Sequence, residues 1–212
     1  MFNLSAHCWI CQLPLVMPTQ GICSFCSAAC LLKPRVCPCC GLPSEHTTRA
    51  CGRCIQKAPY WQQLIFVSDY QPPLRQLVHR LKYQGKWQNA SALSRLMLLS
   101  YLYARRTRHL PKPDLITVIP LHHQRQWRRG FNQSDRLARP LAQWLRCAYF
   151  PDVIKRTRKT KPQQSLNAIQ RRRNLRNAFS CQQNLRGKHV LVVDDVLTTG
   201  STMGEVSRLL LA

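Results

Sequence analysis

Two neighbouring carboxylates and a turn rich in hydroxyl groups follow a short apolar run near the end of this sequence. The apolar run covers residues 190–193, the carboxylates are Asp194 and Asp195, and the turn covers residues 198–202. The residues of the turn are Thr198, Thr199, Gly200, Ser201 and Thr202. Backbone N–H groups in such a turn, together with the N-terminal end of a following helix, bind phosphate. The carboxylates can accept hydrogen bonds from the hydroxyl groups of a sugar. One sugar phosphate would therefore bind to both the carboxylates and the turn.

Three other interpretations of this segment are weaker. A buried strand followed by a helix capped by Thr and Ser would account for the turn, but not for two adjacent acids in a chain with only eight Asp and Glu. A response-regulator phosphoacceptor needs a Lys well downstream, and only seventeen residues follow Asp195. A P-loop nucleotide-binding protein is excluded, because the sequence contains no Gly-x-x-x-x-Gly-Lys.

The segment from residue 190 to residue 202 resembles the signature of the type I phosphoribosyltransferases. Those proteins bind phosphoribosyl pyrophosphate through an apolar strand, two acids and a turn of the Thr-Thr-Gly type. The resemblance implies that Asp194, Asp195 and the turn bind phosphoribosyl pyrophosphate, with Mg²⁺ bridging oxygens of the ligand. It also implies that the two acids belong to the catalytic residues of such a domain.

The elements around the segment follow an α/β pattern. Residues 190–193 and 115–120 are continuous apolar runs of the kind found in buried parallel strands, and further strands are expected at 64–70 and 149–154. The helices predicted from apolar spacing begin after Pro73, near Asn89 and near Asn132. We therefore predict an α/β fold with a parallel sheet of the type I phosphoribosyltransferase kind and helices on both faces.

An arginine-rich loop follows the strand predicted at residues 115–120. Arg125 and Arg129 lie in this loop, before the next predicted helix. Ligands of open α/β sheets bind at the carboxyl ends of the strands, which is the edge where this loop begins. Because a guanidinium group binds pyrophosphate oxygens two at a time, we predict that Arg125 and Arg129 join the acid pair as catalytic residues.

Residues 155–162 carry too many charges for a buried segment. In phosphoribosyltransferases a flexible loop closes over the reacting sugar and excludes water. The segment is either such a lid, as the resemblance implies, or a track for the phosphates of a nucleic acid. The same charges support both interpretations.

Eight of the twelve cysteines form four Cys-x-x-Cys motifs in the first part of the chain. Each motif places two thiolates on one side of a tight turn, and two motifs complete a tetrahedral site for Zn²⁺. The predicted ligands are Cys8, Cys11, Cys23, Cys26, Cys37, Cys40, Cys51 and Cys54. We expect two sites made from consecutive motifs; the alternative is a cross-braced pairing of first with third and second with fourth. Four thiolates leave no open position for a substrate, so both sites are predicted to be structural, with Cys39 as an alternative to Cys40.

The chain is strongly basic, with a formal net charge of +24 from 32 Lys and Arg and 8 Asp and Glu. Residues 1–57 contain five basic residues and one acid, so +20 of the charge falls on residues 58–212. Such a charge attracts nucleic acids and polyphosphates. Aromatic residues lie among the basic ones, as Tyr83 and Trp87 do near Lys82, and suit stacking with the bases of single-stranded DNA.

The sequence has no run of eighteen apolar residues and no charged signal-peptide start. We therefore expect a cytoplasmic protein without a membrane span. In a reducing compartment, twelve cysteines favour metal binding over disulfides. The cysteine-rich segment also contains few core residues, so a metal would be needed to hold it together.

Further motifs resemble those of the ComF/GntX family. They are the run 129–134 (Arg-Gly-Phe-Asn-Gln-Ser), the run 177–179 (Asn-Ala-Phe), the turn at residues 198–202 and the cysteine-rich start. The resemblance covers nearly the whole chain and implies a double zinc ribbon over residues 1–57 and a phosphoribosyltransferase-like domain over residues 58–212. Family members continue into one more strand after the last predicted helix. We therefore expect that the C-terminal strand is missing and that the domain is truncated.

Two hypotheses about function result from these motifs. The ComF/GntX resemblance implies a role in the uptake or utilisation of external DNA, with single-stranded DNA and DNA-uptake or DNA-processing proteins as partners. The alternative is an active phosphoribosyltransferase of nucleobase or nucleotide metabolism. Neither hypothesis excludes the other, and the sequence shows no base-recognition pocket that would decide whether catalysis is retained.

Overall fold

The structure is a computed structural model that describes residues 6–85, 87–121, 130–158 and 174–212. These residues form two compact units, each made from two separate stretches of the chain. The first unit contains the described residues of Met1–Pro34 and Ile65–Leu110, and the second contains those of Arg35–Leu64 and Pro111–Ala212. The division into domains 1–57 and 58–212 stays a prediction.

The described part of the chain folds into helices and short strands. The helices are α1 (Ser24–Cys30), α2 (Gly52–Gln56), α3 (Leu74–Tyr83), α4 (Gln88–Arg108), α5 (Gln133–Leu145) and α6 (Ser201–Leu210). The strands are β1 (Leu115–Val118), β2 (Ala148–Tyr149), β3 (Ile154–Arg156), β4 (Phe179–Cys181) and β5 (Val190–Val193). The first unit contains α1, α3 and α4, and these strands all lie in the second unit.

Helices α3 and α4 pack against each other in the first unit. Leu74, Leu77, Val78 and Leu81 of α3 are all buried. Their spacing of three and four residues places them on one face of the helix, and α4 contributes the buried Leu93. Both helices that apolar spacing predicts in this part of the chain are therefore confirmed.

The second unit contains a three-stranded parallel sheet with the strand order β2, β1, β5. β1 pairs with β5 from Leu115, opposite Val190, to Val118, opposite Val193. Every residue of β1 is buried, as expected for the central strand of a covered sheet. α5 packs against β1, and α6 packs against β4. The predicted α/β fold with a parallel sheet is thus confirmed.

The single strand predicted over residues 149–154 is wrong, because the chain forms two short strands there. β2 joins the parallel sheet, whereas β3 pairs with β4 in a separate antiparallel pair. Pro151 lies between β2 and β3 and has no N–H group to donate to a sheet. β3 extends to Arg156, so the charged loop predicted from residue 155 begins inside a strand. Residues 159–162 of that loop lie outside the described residues.

No strand forms over residues 64–70, so the strand predicted there is wrong. Within the described part of the chain, no other segment pairs with this apolar run as a strand. The Ser68 hydroxyl donates a hydrogen bond to the carbonyl oxygen of Leu32. A short apolar run does not by itself distinguish a strand from an irregular segment.

Two further expectations, on membrane spans and on the C-terminal strand, concern the chain as a whole. No helix among the described residues combines the length and the apolar character that crossing a membrane requires. The expectation of a missing C-terminal strand stays a prediction.

A polar network attaches α6 to the turn before β4. The Glu205 carboxylate accepts hydrogen bonds from the backbone N–H of Asn177 at 2.8 Å and from the Arg208 guanidinium at 2.7 Å. Arg208 also donates to the side-chain oxygen of Asn177 at 3.1 Å. Burial acts to raise the pKa of Glu205, but Arg208 and the N–H of Asn177 outweigh burial and hold the pKa below its ordinary value.

We expect Glu205→Gln to lower the melting temperature at neutral pH by roughly 2–4 °C, because it weakens charged hydrogen bonds worth about 1 kcal/mol at a partly exposed site. A carboxylate with a lowered pKa stabilises the folded state above its unfolded pKa of about 4.3. This contribution is lost as the pH falls through the folded pKa. Thermal denaturation followed by circular dichroism should therefore show the gap between variant and parent narrowing toward acid pH. A gap that stays constant would contradict the ionic role of Glu205.

Candidate functional site

Asp194 and Asp195 lie at the carboxyl edge of the parallel sheet. They follow β5 directly, and β5 ends at Val193, opposite Val118 at the end of β1. Parallel strands present their carboxyl ends at one edge, which is where open α/β sheets bind their ligands. Val193 is buried, whereas both Asp residues are partly exposed. The acid pair therefore lies at the edge where the sequence predicts it.

Two elements of the described structure orient the Asp194 carboxylate. Its Oδ1 atom accepts one from the Ser134 hydroxyl at 3.1 Å and one from the backbone N–H of Asp195 at 2.9 Å. Ser134 lies in the first turn of α5, so the carboxylate is oriented relative to that helix. The bond joins residues that are sixty positions apart, which no local sequence pattern reveals.

α5 begins close to the end of β1 because Asn132 connects the two elements. Its Oδ1 atom accepts a hydrogen bond from the N–H of Ser134 at 3.1 Å and so caps the helix. Its Nδ2 atom donates to the carbonyl oxygen of Ile119 at 3.0 Å. The sequence pattern around Asn132 predicts the cap but misses the role of Ser134 in orienting Asp194.

Residues 198–202, which we call the phosphate turn, lead into α6. Gly200 is the N-cap of the helix and has a φ angle of 70°, a left-handed conformation that favours glycine. The hydroxyl oxygens of Thr199 and Ser201 lie 2.8 Å apart, and the N–H of Ser201 donates to Thr199 Oγ1 at 3.4 Å. The predicted order of strand, acid pair, turn and helix is therefore confirmed. Hydroxyl groups beside the positive end of a helix form an environment suited to phosphate.

Arg125 and Arg129 fall within residues 122–129, which lie outside the described residues. Their catalytic role stays a prediction, as does that of the acid pair. Among the described residues, the structure brings together the acid pair, Ser134 and the start of α5 at one edge of the sheet.

The predicted metal ligands form two separate clusters. The first cluster contains Cys8, Cys11, Cys23 and Cys26, and the second contains Cys37, Cys40, Cys51 and Cys54. The four sulfur atoms of each cluster lie within 4.8 Å of one another. Consecutive motifs therefore pair, which confirms the expected topology over the cross-braced alternative. Cys39 belongs to neither cluster.

Both clusters are built in the same way. In the first motif of each, the N–H of the leading Cys donates to the carbonyl oxygen five residues later at 2.8 Å, which closes a tight turn. The second motif of each begins at a helix N-cap, Cys23 for α1 and Cys51 for α2. The repeat in the sequence is therefore also a repeat in the structure.

The sulfur positions fit a tetrahedral zinc ion. The Sγ to Sγ distance is 3.7 Å between Cys11 and Cys23, and 3.8 Å between Cys40 and Cys51. A tetrahedron with Zn–S bonds of about 2.3 Å has edges of about 3.8 Å, whereas a disulfide needs about 2.05 Å. All twelve cysteines are free of disulfides. With four thiol ligands and no open position, each cluster suits structural zinc.

Burial and backbone N–H groups act in opposite directions on the thiols. Burial acts to raise the pKa of Cys8, but hydrogen bonds from backbone N–H groups of the cluster outweigh it and lower the pKa to about 6. Burial and the neighbouring thiols raise the pKa of Cys26. The second cluster repeats this pattern, with the pKa of Cys37 lowered to about 6 and that of Cys54 raised. Four thiolates at this spacing repel one another, so a divalent cation is needed to hold all four in the charged form.

Comparison with known proteins identifies relatives along nearly the whole chain. The chain is 51% identical to the DNA utilization protein YhgH of Escherichia coli O157:H7 over 211 residues, which cover 93% of that protein. It is 37% identical to Competence protein F of Haemophilus influenzae, over 96% of this chain and 90% of that protein. It is 24% identical to Competence protein ComFC of Bacillus subtilis, over 93% of this chain and 80% of that protein. No solved structure gives a significant match.

The family described as phosphoribosyl transferase domain matches residues 129–212. Together with the fold, this match defines a phosphoribosyltransferase-like α/β protein that carries two Cys₄ clusters. With the relatives above, it shows that the chain belongs to the ComF family, as its motifs indicate.

We expect the purified protein to contain two zinc ions per chain, one for each cluster. Cys40→Ser should lower the content to about one, because it removes a ligand from the second cluster. Cys39→Ser is the matched control and should retain both ions. Elemental analysis by plasma mass spectrometry measures the content. Loss of zinc from Cys39→Ser without loss from Cys40→Ser would overturn the assignment of ligands.

We expect Ser134→Ala to weaken the binding of phosphoribosyl pyrophosphate with Mg²⁺ by roughly 3–10-fold, because a hydrogen bond worth about 1 kcal/mol no longer orients Asp194. Titration calorimetry measures this affinity. Ser100→Ala is the control, since Ser100 is a buried serine of α4 in the first unit. Unchanged affinity in Ser134→Ala would show that Asp194 does not depend on this contact.

Proposed function

We propose that this protein acts in the uptake or utilisation of DNA and binds phosphoribosyl pyrophosphate, or a related phosphate ligand, at the phosphate turn. The names of its relatives, DNA utilization protein and Competence protein, support the first part. They favour this function over the alternative, an active transferase of nucleobase or nucleotide metabolism. The match to the phosphoribosyl transferase domain supports the second part.

The placement of Asp194 carries the ligand part of the proposal. Ser134 and the N–H of Asp195 orient this carboxylate at the sheet edge, a few residues before the phosphate turn. A phosphate at the start of α6 would accept hydrogen bonds from backbone N–H groups. The hydroxyl groups of the attached sugar would donate to the acid pair. One sugar phosphate would then contact both the acid pair and the phosphate turn.

The acid pair also suits Mg²⁺ bound together with the ligand. Mg²⁺ prefers carboxylate and phosphate oxygens and keeps several waters, so one or two carboxylates suffice when a pyrophosphate supplies the other oxygens. The ion would neutralise charge on the pyrophosphate. The protein's own part would be to orient the sugar through Asp194 and Asp195. Arg125 and Arg129 complete the proposed catalytic set.

The charge of the first unit supports binding of single-stranded DNA, which we propose takes place in the cytoplasm. Its described residues contain eight Lys and Arg and a single acid, Asp69. Tyr83 and Trp87 are 56% and 55% exposed, and Lys82 is next to Tyr83 in the chain. Exposed aromatic rings among basic side chains stack with bases while the cations contact phosphates. DNA-uptake or DNA-processing proteins are the further partners that we propose for this role.

We expect the double variant Asp194→Asn/Asp195→Asn to weaken binding of phosphoribosyl pyrophosphate with Mg²⁺ at least about tenfold, since charged hydrogen bonds contribute roughly 1.5–3 kcal/mol each. Its affinity for single-stranded DNA should not fall, because no basic residue is lost. Titration calorimetry measures the first affinity. Fluorescence anisotropy at two salt concentrations measures the second.

A second double variant, Asp69→Asn/Asp114→Asn, is the matched control because it removes the same charge elsewhere. Asp69 lies in the first unit, and Asp114 precedes β1 at the opposite edge of the sheet from Asp194. It should leave the affinity for the pyrophosphate unchanged. A loss of DNA affinity in the acid-pair variant alone would contradict separate DNA and phosphate sites. Absence of pyrophosphate binding in the unmodified protein would contradict the ligand part of the proposal.

A further inference from the structure

Trp61 contacts the turn between Cys37 and Cys40 through its indole N–H group. This group donates a hydrogen bond to the carbonyl oxygen of Cys39 at 2.7 Å. Cys39 lies between Cys37 and Cys40, which are both ligands of the cluster. A metal bound by the two flanking thiolates would therefore fix the position of this carbonyl group. The turn that would hold the metal therefore also positions the indole ring.

A second contact attaches the same short segment to the cluster. Leu64 approaches Gly41, which follows Cys40 and closes the turn with a hydrogen bond from its N–H to the carbonyl oxygen of Cys37 at 2.9 Å. A Cβ atom added to Gly41 would lie 3.0 Å from Leu64 Cδ2. Residues 61–64 are thus held against the second cluster at both ends.

The ring of Trp61 also lies against the start of α6. A Cβ atom added to Gly200 would lie only 2.9 Å from Trp61 Cη2, closer than real side chains approach. A Cβ atom added to Gly204 would lie 3.8 Å from Trp61 Cζ3, in ordinary contact. Residues four apart share one side of a helix, so the ring extends along the first turn of α6. Trp61 therefore contacts the glycine at the centre of the phosphate turn.

Each contact has a separate physical effect on the phosphate turn. The hydrogen bond to Cys39 fixes the orientation of the indole ring, and the ring then limits where Gly200 can move. Gly200 is the residue with the greatest backbone freedom in the turn, and its φ angle of 70° aims the following N–H groups. Restricting it reduces the entropy that the turn would lose when a phosphate binds.

We propose that Trp61 is a positioning residue for the phosphate turn. A metal in the second Cys₄ cluster holds the turn in the conformation that binds phosphate, through the contact of Cys39 with Trp61 and the contact of Trp61 with Gly200. The inference rests on the proposed function, because it names a second site, the metal cluster, that acts on the turn proposed to bind phosphate. The first cluster lies in the other compact unit, which does not contain the turn. The two clusters therefore differ in role although they share one construction.

Trp61→Phe is the most informative variant, because it keeps an aromatic ring and removes the N–H donor. The variant should retain both zinc ions and bind phosphoribosyl pyrophosphate with Mg²⁺ roughly fivefold more weakly, the loss that corresponds to one hydrogen bond of about 1 kcal/mol. Trp9→Phe is the matched control, since the Trp9 ring lies against Gly21 in the first unit in a similar way. It should leave the affinity unchanged. Full affinity in Trp61→Phe would overturn the proposal.

Hydrogen exchange of the peptide that covers residues 198–204 tests the same contact without any ligand. Trp61→Phe and Cys40→Ser should each speed exchange there by several-fold, because both release the turn. The double variant should exchange no faster than the faster of the two, since they act through one contact. Cys11→Ser, which removes a ligand of the same kind from the first cluster, should have a smaller effect.

The two readouts separate the failure of this inference from the failure of the proposed function. If the unmodified protein binds no phosphoribosyl pyrophosphate, the proposed ligand is wrong, and exchange still decides whether Trp61 connects the cluster to the turn. If Cys11→Ser and Cys40→Ser speed exchange of the turn equally, general destabilisation accounts for both. In that case the specific role of Trp61 is overturned. Additive effects of Trp61→Phe and Cys40→Ser would also overturn it.

Discussion

The parallel pairing of β1 with β5 is the contact on which the candidate site in the second unit depends. Its register, from Leu115 with Val190 to Val118 with Val193, aligns the ends of both strands at one edge of the sheet. The chain that follows β1 returns to this edge at the cap of α5, and the chain that follows β5 continues into the acid pair and α6. A shift of one residue would turn every side chain of β5 to the opposite face. The acid pair would then lose its partner on α5, so the chemistry of the site depends on backbone register.

The sequence predicts those parts of the protein whose signals are local. An apolar run followed by acids, glycine and hydroxyls is enough to predict strand β5, the turn and α6, because each residue type has its own conformational preference. The cysteine spacing predicts both clusters for a similar reason, since two thiolates three residues apart can share one metal. The longer helices are also predicted, because apolar residues on one face must be buried. Family resemblance adds a prediction of the ligand class, which spacing alone does not provide.

The remaining features depend on contacts between distant parts of the chain. The apolar run at 64–70 has the composition of a strand, but strand formation also needs a partner with free hydrogen-bonding groups. The boundary between β2 and β3 depends on a single proline, whose effect is visible only when the two strands join different sheets. Ser134 and Trp61 are ordinary residues in their local setting. Their contacts are with groups about sixty and more than one hundred positions away, at Asp194 and Gly200.

The chain passes between the two compact units three times, after Pro34, Leu64 and Leu110. On a ribosome, the first cluster would have all its cysteines by residue 26, whereas the helices of the same unit are complete only near residue 110. The second cluster would emerge between these two events. Eight thiols are therefore exposed on the nascent chain before either unit can close, and an oxidant could join the wrong pairs at that stage. Metal uptake during translation would protect them, so the supply of zinc at the ribosome would influence how much of the protein folds correctly.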